Sequence, residues 1–82
     1  MNETQIVMYG TNWCPDCVRS KRVLEKHGIS FKWVDIEDDK DAMTYVLKVN
    51  KGHRVVPTLV FRDGSVLIEP SNKDLEAKLN GL

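Results

Sequence analysis

The chain is poor in cysteine, has no surplus of either charge and carries no long apolar run. Two cysteines among 82 residues are too few for the disulfide framework of a small secreted scaffold. The 12 Lys+Arg are balanced by 12 Asp+Glu, so no net field draws the protein to nucleic acid or to an anionic membrane, and neither is expected as a partner. No apolar stretch approaches the roughly 20 residues of a membrane span. Met1 to Val7 contains no basic segment followed by an apolar one, so no secretory signal is legible and the cytoplasm is the expected location. Repeats, low-complexity tracts and Gly/Ser linkers are missing too, and a length well under about 150 residues points to a single domain over 1–82. The remaining composition, 41% hydrophobic, is that of an ordinary globular chain rather than a disordered one. A domain this small buries only about 60–65% of the surface its unfolded chain exposes. That leaves little room for an elaborate catalytic centre, so any activity has to come from a few atoms.

Hydropathy and turn signals divide the chain into seven elements. Gln5 to Tyr9 is a short β-branched and aromatic run, read as a buried strand ended by Gly10. Pro15 suits the first position of a helix running to His27, with Cys17 and Leu24 on its inner side, Val18 and Val23 widening that stripe, and Gly28 as the stop. Phe31 to Ile36 reads as a second strand, with Phe31 and Trp33 on one face and Val34 and Ile36 on the other. The acidic run of Asp35, Glu37, Asp38, Asp39 and Asp41 then complements the dipole at the start of a second helix, whose apolar side is Ala42, Val46 and Val49. Asn50, Lys51 and Gly52 end it. Thr58 to Phe61 and Val66 to Ile68 form a hairpin around Asp63-Gly64, and Ser71 to Asp74 is a capping box opening a last helix with Leu75 and Leu79 inward. The order β-α-β-α-β-β-α predicts an α/β fold: one mixed four-stranded sheet with three helices on its two faces, the first β-α-β parallel and the last two strands antiparallel.

Both cysteines fall in Cys14-Pro15-Asp16-Cys17, at the junction of a strand and a helix. A structural disulfide closing so short a loop would contribute only about 2 kcal/mol before native strain is subtracted. As a metal site the pair supplies two ligands where structural zinc takes four, and His27 and His53 sit in other segments, so metal binding would require two copies bridged by their thiolates. The favoured reading is a redox-active dithiol. Cys14, at the N-cap, meets unpaired backbone N–H groups and the positive end of the helix dipole, which stabilise a thiolate. Cys17, one turn further in and less exposed, is the resolving thiol. Arg19, Lys21, Arg22 and Lys26 are read as a solvated face and Asp16 as pointing to solvent. Trp13 is a rim residue, being next to the nucleophile in a loop.

The residues Val7-Met8-Tyr9, Trp13-Cys14-Pro15-Asp16-Cys17 with Val18-Arg19-Ser20-Lys21, then Val55-Val56-Pro57-Thr58 and Asp63-Gly64, follow one another in an order and spacing that resembles the glutaredoxin family of the thioredoxin fold. The resemblance implies a thiol–disulfide oxidoreductase that reduces mixed disulfides of proteins or small thiols. It implies no tightly bound cofactor, a low-molecular-weight thiol (glutathione or mycothiol) as co-substrate, disulfide-containing proteins as partners, and a monomer. It also implies that Pro57 is cis and faces the cysteines, leaving the backbone of Val56 to pair with the thiol substrate. Arg54 matches a position that meets a carboxylate of the bound thiol, and Ser71 and Asn72 would offer N–H groups to another at a helix N-terminus. Thr11 stands where many members have Lys, and Glu69-Pro70-Ser71-Asn72 replaces their Gly-Gly segment. Trp13-Cys14, Val49 to Gly52 and Pro70-Ser71 are similar to the actinobacterial mycoredoxin branch, which uses mycothiol. Two rival readings stay open: a thioredoxin-like dithiol donor recycled by a flavin reductase, and a metal or iron–sulfur module assembled as a dimer.

Overall fold

A computed structural model describes residues 6–81. The elements are β1 (Ile6–Gly10), α1 (Pro15–Lys26), β2 (Phe31–Asp35), α2 (Lys40–Val49), β3 (Thr58–Phe61), β4 (Val66–Ile68) and α3 (Asn72–Asn80). The expected order and type of every element are present. Gln5, expected to open β1, lies outside the described residues.

The four strands form one sheet in the order β2-β1-β3-β4. β1 runs parallel to β2, Met8 opposite Trp33, and antiparallel to β3, while β3 and β4 are the antiparallel hairpin. Strand alternation sends Ile6 and Met8 to one face, where they pack with Leu59 and Phe61 against Val23 and Leu24 of α1 and Leu75 and Leu79 of α3. Ile36, Ala42 and Val46 form a smaller core with Tyr9, Val34 and Val56 on the other face, under α2. Both faces of β1 are thus covered, which is why its sequence is apolar throughout rather than alternating.

Three expectations need correction. β1 does not stop at Tyr9: Gly10, which ends it, is itself the last paired residue, opposite Asp35, and it is buried. Val18 is exposed and does not widen the apolar stripe of α1, whereas Ser20 is fully buried. Two residues apart on a helix are about 200° apart, so only one of the pair can face the sheet, and the neighbouring Cys17 and Leu24 select Ser20. The acidic run also divides. Asp39 is the N-cap of α2, its Oδ1 accepting from Ala42 N–H at 3.0 Å, and Asp41 lies in the first turn. Asp35 and Glu37 instead bond the loop before α1. Ser71 is the N-cap of α3, its Oγ accepting from the Asp74 N–H at 3.1 Å.

Candidate active site

Cys14 is the N-cap of α1, in extended conformation (φ −80°, ψ 116°), with Pro15 at the next position. A capping side chain accepts from a first-turn N–H. Here the acceptor is sulfur: Cys14 Sγ takes the Cys17 N–H at 3.4 Å. The carbonyl of Cys14 also accepts from Cys17 N at 3.1 Å and Val18 N at 3.2 Å, so both ends of the residue are held by the first turn. Both cysteines are free thiols. Cys14 retains 6% of its surface and Cys17 none, which is the expected ranking of access.

Burial pushes the Cys17 thiol up from its ordinary 9.0 to about 12, and the adjoining Cys14 adds to that shift. A hydrogen bond from the Thr11 backbone N–H and the charge of Lys21 oppose it only in part. Cys17 is therefore a neutral thiol at physiological pH. It lies against Gly10, where an added Cβ would sit 2.6 Å from Cys17 Sγ and 2.7 Å from the ring of Trp33. The close approach of sulfur and backbone needs a residue without a side chain.

The Val56–Pro57 peptide bond is cis. The Cys14 thiol points at the Val56 carbonyl, 3.9 Å away, so the backbone before the cis proline faces the sulfur. The segment is anchored from below. Asn50 Nδ2 donates to Val46 O at 2.9 Å and to Thr58 Oγ1 at 3.3 Å, and Thr58 Oγ1 donates to Val55 O at 2.9 Å.

Trp13 is 63% exposed, on the rim, and its indole Nε1–H donates to Glu37 Oε1 at 3.1 Å. The other Glu37 oxygen meets Arg54 Nη2 at 3.3 Å, and the Arg54 guanidinium lies 5.7 Å from the centre of the Trp13 ring. Trp13, Arg54, Val56 and Pro57 are thus gathered around Cys14. Ser71 and Asn72 stand at the start of α3, beside Arg19 of α1, their side chains engaged with the Asp74 N–H and with Arg19. Arg19 is not part of a solvated face, nor does Asp16 stand free. Arg19 bonds Asn72 Oδ1, Pro70 O at 3.1 Å and Asp16 Oδ1 at 3.3 Å, tying the Cys-x-x-Cys turn to the start of α3. Glu69 is exposed in the left-handed region (φ 48°) and gives its N–H to Pro57 O at 2.8 Å.

Sequence reasoning missed Gly10, Thr11, Glu37, Asn50 and Thr58 as parts of this site. A glycine closing an otherwise bulky strand beside a Cys-x-x-Cys was a readable sign of close approach. Glu37 carried no local sign, since nothing in a run of acids marks the one that turns away from the helix. His27 pairs with Glu76 at 3.7 Å, beyond the opposite end of α1. Among the described residues, no three His, Cys, Asp or Glu are grouped to hold a metal ion. Among them, too, no helix is long and apolar enough to cross a membrane.

A mixed four-stranded sheet with three helices, a thiol pair opening α1 and a cis proline opposite is the architecture of the thioredoxin-like proteins. A crystal structure of a thioredoxin-like protein is similar to it with a TM-score of 0.80 and 28% identity, covering 93% of this chain and 100% of the other. The glutaredoxin of Archaeoglobus fulgidus shares the fold with a TM-score of 0.76 over 95% of this chain and 88% of its own. The Glutaredoxin family model matches residues 6–66, and the chain belongs to the glutaredoxin family, whose members are thiol–disulfide oxidoreductases. It is 43% identical over 74 residues to a Mycobacterium tuberculosis protein assigned to the glutaredoxins, covering 90% of this chain and 88% of that one. Mycoredoxin 1 of Corynebacterium glutamicum is 32% identical over 79 residues, 96% of this chain and 98% of its own.

Proposed function

We propose that Cys14 is the nucleophile and Cys17 the resolving thiol of this oxidoreductase, with a low-molecular-weight thiol, glutathione or mycothiol, as co-substrate. The observation that carries this reading is the asymmetry of the pair. Cys14 keeps 6% of its surface exposed and its sulfur caps α1, where the Cys17 N–H and the positive end of the helix dipole face it, while Cys17 is fully buried and neutral. The Cys14 thiolate attacks the sulfur of a mixed disulfide; a new S–S bond forms to Cys14, the old one breaks, and the partner sulfur leaves as thiolate and takes a proton from water. A second small thiol then attacks the small-thiol sulfur held on Cys14; the S–S bond to Cys14 breaks, Cys14 leaves as thiolate, and the two small thiols depart as their disulfide. In the other branch Cys17 gives up its proton to water and attacks the Cys14 sulfur of the mixed disulfide. The bond from Cys14 to the bound thiol breaks, and that thiol leaves as thiolate and takes up a proton. Two small thiols later reduce the internal Cys14–Cys17 disulfide as they become a small-thiol disulfide.

Trp13, Arg54 and the Val56 backbone beside Pro57 line the approach to Cys14 and hold the small thiol, and the first-turn N–H groups at Ser71 and Asn72 offer a second anchor. The protein acts as a monomer in the cytoplasm on disulfide-containing proteins. Cys14→Ser is expected to abolish reduction of small-thiol mixed disulfides and Cys17→Ser to retain it, measured as turnover with a glutathionylated peptide. Turnover that needs both cysteines would replace this reading with that of a thioredoxin-like dithiol donor.

A further inference from the structure

Arg54 lies over the ring of Trp13, the residue before Cys14, and is already bonded to a carboxylate. Glu37 Oε2 lies 3.3 Å from its Nη2, and Glu37 Oε1 is held in place by the Trp13 indole at 3.1 Å. The second arginine near the site, Arg19, is committed to Asp16, Asn72 and the Pro70 carbonyl. A groove of about 530 Å³ opens beside the Glu37–Arg54 pair, lined by Ile36, Glu37, Lys40, Met43, Thr44 and Arg54. The other cation among its described lining residues, Lys40, sits within a run that includes Asp38, Asp39 and Asp41. A carboxylate brought to Arg54 would displace Glu37 or stand beside it, and like charges a few ångströms apart repel even in a partly solvated site.

Resting on the reading of Cys14 as the nucleophile, we propose that Glu37 is a specificity-determining residue. By occupying Arg54 it turns the site away from small thiols that carry a carboxylate there and toward thiols whose distal arm is uncharged and hydrogen-bonding. Such an arm meets the Glu37 oxygens, the Arg54 N–H groups and Thr44 in the groove without opposing a charge. The pair is about two-fifths exposed, so the discrimination is moderate, about two- to fivefold at low ionic strength, and it shrinks as salt screens it.

The test uses the Cys17→Ser protein, with and without Glu37→Gln, and two probes differing in one charge per glutathionyl half: oxidised glutathione and its bis(glycyl ethyl ester). Attack of Cys14 on either disulfide forms one S–S bond and releases one thiolate, and the adduct is timed by mass spectrometry. Glutamine keeps an oxygen for the Trp13 indole, so the substitution removes charge rather than geometry. The ester is expected to react faster than the acid in the Glu37 protein, with the gap narrowing in high salt. Glu37→Gln is expected to raise the acid-to-ester rate ratio about two- to fivefold, and Arg54→Gln to lower it. A ratio that Glu37→Gln leaves unchanged, with adducts still forming on Cys14, overturns the role of Glu37 alone. No adduct with either probe overturns the assignment of Cys14, and this inference with it.

Discussion

At the scale of single residues, the site depends on what is small as much as on what is reactive. Cys17 is fully buried because β1 passes it with a glycine, and there is no space at Gly10 for even one carbon. Gly10→Ala would force Cys17 and Trp33 to move together, and overpacking of this kind costs about 1–3 kcal/mol. The expected outcome is a lowered urea midpoint with an unchanged m-value, and slower closure of the Cys14–Cys17 disulfide than in the parent protein. Wild-type stability would mean that the backbone of β1 gives way freely at this point. Glu37 and Arg19 show the converse, long side chains whose partners lie 17 and 53 positions away in sequence.

At the scale of elements, the segment before β3 is held by α2 rather than by its own conformation. Asn50, at the C-cap of α2, spends its amide on Val46 O and on the Thr58 hydroxyl, which in turn holds Val55 O. Asn50 and Thr58 are both buried, so an unmade bond there costs about 1–3 kcal/mol. Asn50→Ala is expected to destabilise the protein by about that amount and to slow mixed-disulfide formation on Cys14, because Val56 and Pro57 lose their anchor. Urea unfolding and adduct timing read the two effects separately; a stability loss without any kinetic loss would reduce Asn50 to a packing residue. The elements themselves were legible in the sequence. Alternation, the Asp-Gly hairpin, Pro15 at the first helical turn and the Ser71 cap are local signals, and each is where it was read. Gly10 was read only as a strand end because a strand end and a close approach use the same residue. Val18 was misread because a helix with only a few apolar residues leaves its inward face ambiguous.

For the whole molecule, a chain of 82 residues has a stability of about 4–12 kcal/mol to lose, so one perturbed thiol is felt globally. The folded protein holds Cys17 protonated up to about pH 12, while the unfolded chain releases that proton near the ordinary 9.0. Below pH 9 both states carry it and the contribution is intact. Above pH 9 the unfolded state binds fewer protons, and stability falls with rising pH until the folded thiol also ionises. Urea midpoints are therefore expected to drop between pH 8 and pH 10.5, more steeply in the native protein than in Cys17→Ser. Parallel slopes in the two proteins would place the alkaline loss on other groups, among them Tyr9, whose hydroxyl burial also raises.

The sequence by itself determined the element order, the parallel and antiparallel pairing, the family and the thiol pair at a helix start. Those follow from periodicity, turn chemistry and a short motif, all properties of neighbours along the chain. Tertiary structure alone decided the difference in access and charge between the two thiols, the space under Gly10, the clamp of Arg19 on α3 and the partner of Arg54. Those depend on desolvation and on contacts between distant segments, which exist only once β1, α1 and the two loops are folded against each other.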